Sequence, residues 1–103
     1  MLFRSGPLGV FEPFAVTVTG GDVPADAAAV ALNVTVTGPE AEGYLTVWPC
    51  GSDQPPTSNL NFLAGQTVPN AVTTAVGVAG QVCLASAAAT HVVVDVDGYH
   101  APA

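Results

Sequence analysis

From Ala29 to Thr37 the side chains alternate without a break. Val30, Leu32, Val34 and Val36 fall on one face, and Asn33, Thr35 and Thr37 on the other. A period of two fits a strand with one buried face, and a slip of one residue would turn every valine outward. Residues 25–31 have helix-forming alanines, but the Val/Thr run that follows argues for a strand. The same alternation recurs over residues 14–19, 43–48, 58–63, 68–76, 81–85 and 91–97, separated by Gly/Pro turns. Pro69 near the start of its run marks a sheet edge or a bulge, since proline cannot donate to a ladder. About seven short strands predict an all-β fold, an antiparallel β-sandwich, with a small β-barrel as the alternative. The expected core is Val30, Leu32, Val34, Val36, Leu45, Val47, Leu60, Phe62, Val82, Leu84, Val92, Val94 and Val96.

A chain of 103 residues, half of them apolar, suits one domain with one core. Residues 14–100 form that domain and residues 101–103 a tail. Residues 1–13 are expected to be an artefactual or irregular lead, because Leu2-Phe3-Arg4-Ser5 reads as the translated end of a sequencing adapter. No apolar run resembling a signal peptide follows Met1, so export would need a signal upstream in a longer gene. Residues 54–90 carry no charge, but Pro, Asn and Gln interrupt them, which excludes a membrane span.

Arg4 is the only basic residue against eight carboxylates, giving a net charge of −7. Nucleic acid needs clustered Lys and Arg and is excluded as a partner; anionic membrane surfaces are disfavoured for the same reason. Cys50 and Cys83 lie far apart with no histidine at ligand spacing. In a lysine-free, Thr-rich chain they predict one structural disulfide and an oxidising, extracellular setting; two free buried thiols are the alternative.

Several residues invite a chemical reading. His91 and Asp95 share a strand face, but four strand residues separate them by about 13 Å, too far for a catalytic pair. His100 lies near the tail, and there is no GxSxG. The chain is therefore expected not to be an enzyme and to need no cofactor. Asp95-Val96-Asp97-Gly98 resembles part of a calcium loop, but two carboxylates fall short of the six or more oxygens required, so no metal is expected. Asn33-Val34-Thr35 fits a glycosylation sequon but lies mid-strand, and Thr17/Thr19 with Thr35/Thr37 are too few for an ice-binding array. If Leu45 and Val47 face the core, Tyr44 and Trp48 form an outward pair about 13 Å apart that could stack on the rings of a neutral glycan. The competing reading buries Trp48 against the disulfide, two residues from Cys50.

Six segments together carry a resemblance. They are Gly21-Asp22-Val23-Pro24-Ala25, Ala31-Leu32-Asn33-Val34-Thr35-Val36-Thr37, Gly43-Tyr44-Leu45-Thr46-Val47-Trp48-Pro49, Ser58-Asn59-Leu60-Asn61-Phe62, Ala64-Gly65-Gln66-Thr67-Val68-Pro69-Asn70 and Asp95-Val96-Asp97-Gly98-Tyr99. As a set they resemble a β-rich module repeated in actinobacterial secreted proteins, alone, in tandem or appended to exported hydrolases. The resemblance implies an extracellular or cell-surface setting and neighbouring modules of the same protein as partners. Such modules begin with a further segment resembling Arg-x-Leu-Asp-Thr-Arg, which this chain lacks, so a truncated copy is expected. A strand edge left bare by that loss would favour a homo-oligomer. The leading expectation is a non-catalytic surface, adhesion or spacer module of a larger secreted protein. Its rivals are a carbohydrate-binding module that tethers an exported hydrolase, and the remnant of a hydrolase.

Overall fold

The structure, a computed structural model, describes residues 2–4 and 9–102. Met1 and residues 5–8 of the expected irregular lead lie outside the described residues. Eight strands are present among them: β1 (Leu2–Arg4), β2 (Phe14–Thr17), β3 (Ala29–Thr37), β4 (Gly43–Pro49), β5 (Leu60–Phe62), β6 (Val68–Ala75), β7 (Gln81–Ser86) and β8 (His91–His100). A single 3-10 turn, Val78–Gly80, precedes β7. The strands pair antiparallel in two four-stranded sheets, ordered β1-β8-β3-β6 and β2-β7-β4-β5. Among the described residues no ladder joins the sheets, so the fold is a sandwich and not the alternative barrel. The eighth strand is β1, which pairs Leu2 with Asp95 and Arg4 with Val93, inside the lead expected to be irregular.

The alternation that defines β3 is realised residue by residue. Val30, Leu32, Val34 and Val36 are buried, while Ala29, Ala31, Asn33, Thr35 and Thr37 are half-buried on the outer face. Burying each of these four side chains contributes about 1.5–3 kcal/mol. They meet Leu45, Val47, Leu60, Phe62, Val82 and Leu84 of the opposite sheet, with Val92 and Val94 from β8, in one core. Val96 packs against this core but stays partly exposed. The cause is a register shift between Ala31 and Leu32, which leaves Asp97 without a Cα partner on β3 and carries β8 on to His100. No helix forms at residues 25–31, because Ala27 N–H bonds back to the Pro24 carbonyl and the strand starts at Ala29. Val16, Val18, Val23, Ala27 and Val72 complete the core. Pro69 sits on β6, an edge strand, as proline in a ladder requires.

Cys50 and Cys83 are bonded, with Cα atoms 5.1 Å apart, so the reading of two free thiols does not hold. The bond ties the end of β4 to its neighbour β7. Three buried hydroxyls tie loops to the sheets. Thr46 donates to the Thr57 carbonyl, Ser86 to the Ala88 carbonyl and Thr90 to the Thr37 carbonyl. Among the described residues, no buried side-chain nitrogen or oxygen lacks a hydrogen-bond partner.

Candidate functional site

The outer face of the second sheet is where sequence and structure part. Tyr44, Thr46 and Trp48 alternate with Leu45 and Val47 along β4, and alternation alone would put all three in water. Tyr44 is exposed, but Thr46 is fully buried and Trp48 is only 6% exposed. The outward pair of Tyr44 and Trp48 is therefore not formed, and the competing reading, a buried Trp48, holds. After Cys50 the chain turns, with Ser52 N–H bonded to the Pro49 carbonyl. Residues 54–58 then run back over the same face, held by the bond from Thr46 to Thr57. Trp48 pairs across the ladder with Cys83 and so shares its face with the disulfide.

Tyr44 acquires a different aromatic neighbour. Phe11 packs against it edge to face, with ring centroids 6.2 Å apart and planes at 62°. Phe11 is 54% exposed and Tyr44 38%. Phe11 is held in place by its backbone: its N–H donates to the Ser86 carbonyl at 2.7 Å, and Val10 bridges the same residue. Its φ is +54°, in the left-handed region that bulky residues rarely enter. The sequence reading missed Phe11 because it lies in the lead set aside as irregular. The available signal was a large aromatic in a Gly/Pro-rich stretch with no core periodicity to absorb it.

Tyr44 also stands between two shallow grooves. One, of about 360 Å³, is lined by Glu42, Asn61, Leu63 and Gln66 together with Gly43 and Phe62. The other, of about 530 Å³, is lined by Thr46, Gln54, Pro55, Pro56, Thr57 and Ser58. Both fall within the usual range for small-ligand sites, roughly 300–1,000 Å³. Asn59, between them in sequence, turns inward: its Oδ1 accepts from Val47 N–H at 2.8 Å, and its own N–H donates to the Leu45 carbonyl. It thereby continues the β4 ladder past the start of β5.

The remaining sequence candidates are dispersed. His91 and Asp95 pair with Thr37 and Asn33 at opposite ends of a five-residue stretch of β3. His100 lies at the far end of the same strand, opposite Ala29. Asp97 sits in the bulge, exposed, and no group of three metal-binding side chains exists among the described residues. Thr35 and Thr37 lie on β3 and Thr17 on β2, which belong to different sheets, so the two Thr pairs make no common array. Asn33 is half-buried between Ala71 and Asp95 in the ladder. Comparison of the chain with protein-family models, curated proteins and solved structures finds no match.

Proposed function

We propose that the chain is a non-catalytic extracellular module that serves a larger secreted protein as a surface, adhesion or spacer element, of the kind repeated in actinobacterial secreted proteins. The observation that carries this reading is the exposed Phe11–Tyr44 pair, set between two open grooves on a sheet braced by a disulfide. Open, shallow relief beside exposed rings suits contact with an extended surface. The Cys50–Cys83 bond suits an oxidising compartment. Low charge suits contacts made through hydroxyl, amide and aromatic groups rather than ions.

The test is retention of the purified chain on insoluble cell-wall and polysaccharide preparations, with albumin as the blank. Retention above the blank supports the reading. Turnover of ester, glycoside or peptide substrates by the chain alone would overturn it. A second reading, a carbohydrate-binding module that tethers an exported hydrolase, is favoured by the same aromatic pair. It differs in requiring a defined saccharide ligand.

A further inference from the structure

We infer that the surface centred on Tyr44 is a binding site for a neutral oligosaccharide that crosses the tyrosine ring from one groove to the other. This rests on the module reading above and gives it a ligand class. A sugar ring presents an apolar C–H face and a rim of hydroxyls, so its site needs an exposed aromatic face flanked by groups that both donate and accept hydrogen bonds. Tyr44 lines both grooves and is the residue they share. On one flank stand the amides of Asn61 and Gln66. Gln66 spends its carbonyl oxygen on Leu63 N–H, so its NH2 remains to donate outward. On the other flank stand Gln54 and Ser58, with Pro55 and Pro56 adding apolar surface.

Phe11 supplies the second, independent argument. A φ of +54° at a phenylalanine is strained, at about 1–3 kcal/mol, and persists only where surrounding contacts fix it. Those contacts are the hydrogen bond and bridge to Ser86, and their result is a phenylalanine ring held at the surface against Tyr44. Such a ring adds nothing to the core. The edge-to-face contact restrains the Tyr44 ring and sets a second exposed aromatic side chain beside it. Phe11 is thus a positioning residue, and Tyr44 the stacking residue.

The ligand's charge follows from the lining. Uronates, sulfated or phosphorylated glycans call for Lys or Arg, and among the described residues neither groove is lined by one. Among those residues Glu42 is the charged one lining a groove, and it repels anions. A neutral hexose, pentose or N-acetylhexosamine polymer fits; an acidic one does not.

The test is titration of the intact chain, followed by NMR and calorimetry, with cellohexaose, xylohexaose, mannohexaose and chitohexaose, and with hexagalacturonate as the acidic control. At least one neutral oligosaccharide should bind and move the Phe11 and Tyr44 ring signals and the Asn61 and Gln66 side-chain amides. Tyr44→Ala should weaken that binding about tenfold or more, with an unchanged melting temperature. Tyr44→Phe should keep most of it. Phe11→Ala should weaken it less than Tyr44→Ala and broaden the Tyr44 ring signals. Tighter binding of hexagalacturonate, or equal binding by Tyr44→Ala, overturns the site. Retention on cell-wall material by an unsubstituted chain that binds none of the neutral oligosaccharides overturns the site while leaving the module reading in place. Absence of any binding, soluble or insoluble, overturns the site and the adhesion form of the module reading.

Discussion

Trp48 lies directly across the β4/β7 ladder from Cys83, whose sulfur is bonded to Cys50 two residues beyond the tryptophan. Residues paired in an antiparallel ladder show their side chains on one face. The chain's single tryptophan therefore shares the outer sheet face with its disulfide; Trp48 and Cys50 are buried there and Cys83 is half-buried.

That arrangement makes Trp48 a built-in reporter of the disulfide. The bond spans a sequence separation of 33, for which the chain-entropy estimate is about 3–4 kcal/mol of stability. Cys50→Ser combined with Cys83→Ser should lower the urea midpoint accordingly, with Trp48 emission moving to longer wavelength at the new midpoint. An unchanged midpoint would show that the cross-link contributes little to stability.

What the sequence revealed, and what it hid, divides along local and non-local causes. The strands were legible because alternation is a local signal. β3 is read to the residue, and the inward face of every core strand is the apolar one. The bulge at Asp97 was not legible, because an extra residue leaves no mark until the partner strand is known. Burial of Trp48 was one of the two readings that its place beside Cys50 allowed, but that of Thr46 was hidden for a related reason. It depends on residues 54–58 folding back over a sheet face, and Pro55-Pro56 announce only a loop, not where it lies. Tyr44 was found on its own alternation. Phe11 was not, because its neighbour on the surface is distant in sequence.

Asn59 offers a second test, of a side chain that substitutes for a strand. Its Oδ1 takes the Val47 N–H, which β5 begins too late to reach. Asn59→Ala should leave that amide without its acceptor and cost about 1–3 kcal/mol. Asn59→Asp, which keeps the acceptor, should recover most of the loss. Hydrogen exchange at the Val47 amide is the specific readout: if its protection is the same in Asn59→Ala, the bond has no such role.

Gly77 tests how tightly the disulfide end is packed. A Cβ there would collide with the backbone N and O of Cys50, and would come within 2.8 Å of the Gln81 carbonyl. Backbone cannot yield as a flexible side-chain end can. Cys50 and Gly77 N–H groups both donate to that same Gln81 carbonyl. Gly77→Ala should therefore destabilise the chain by about 1–3 kcal/mol, the usual range for overpacking. The effect should fall below additivity with loss of the disulfide, because both changes disturb Cys50. Fully additive losses in a double-mutant cycle would separate the two features.

The chain should also pair with itself through the outer edge of β8. That strand has ten residues, of which β1 covers three, Val93 to Asp95. Among the described residues no strand pairs with the outer edge along residues 96–100. Such an edge invites another strand, and the usual guard, lysine, is absent from the sequence. The opposite edge of the same sheet, β6, is blunted by Pro69. β2 and β5, at the edges of the second sheet, are only four and three residues long. A two-fold pairing of β8 with the same strand of a second copy is the simplest closed arrangement. The net charge of −7 opposes it, but salt screens charges beyond about 8 Å at physiological strength. Dimer formation should therefore strengthen as salt rises from a few millimolar to physiological levels. Light scattering over a concentration series at both salts measures this, and hydrogen exchange should show new protection within residues 96–100 as dimer accumulates. A strict monomer at all concentrations and both salts would rule the pairing out, and would imply that this edge is guarded by its strong bulge at Asp97 rather than by a partner.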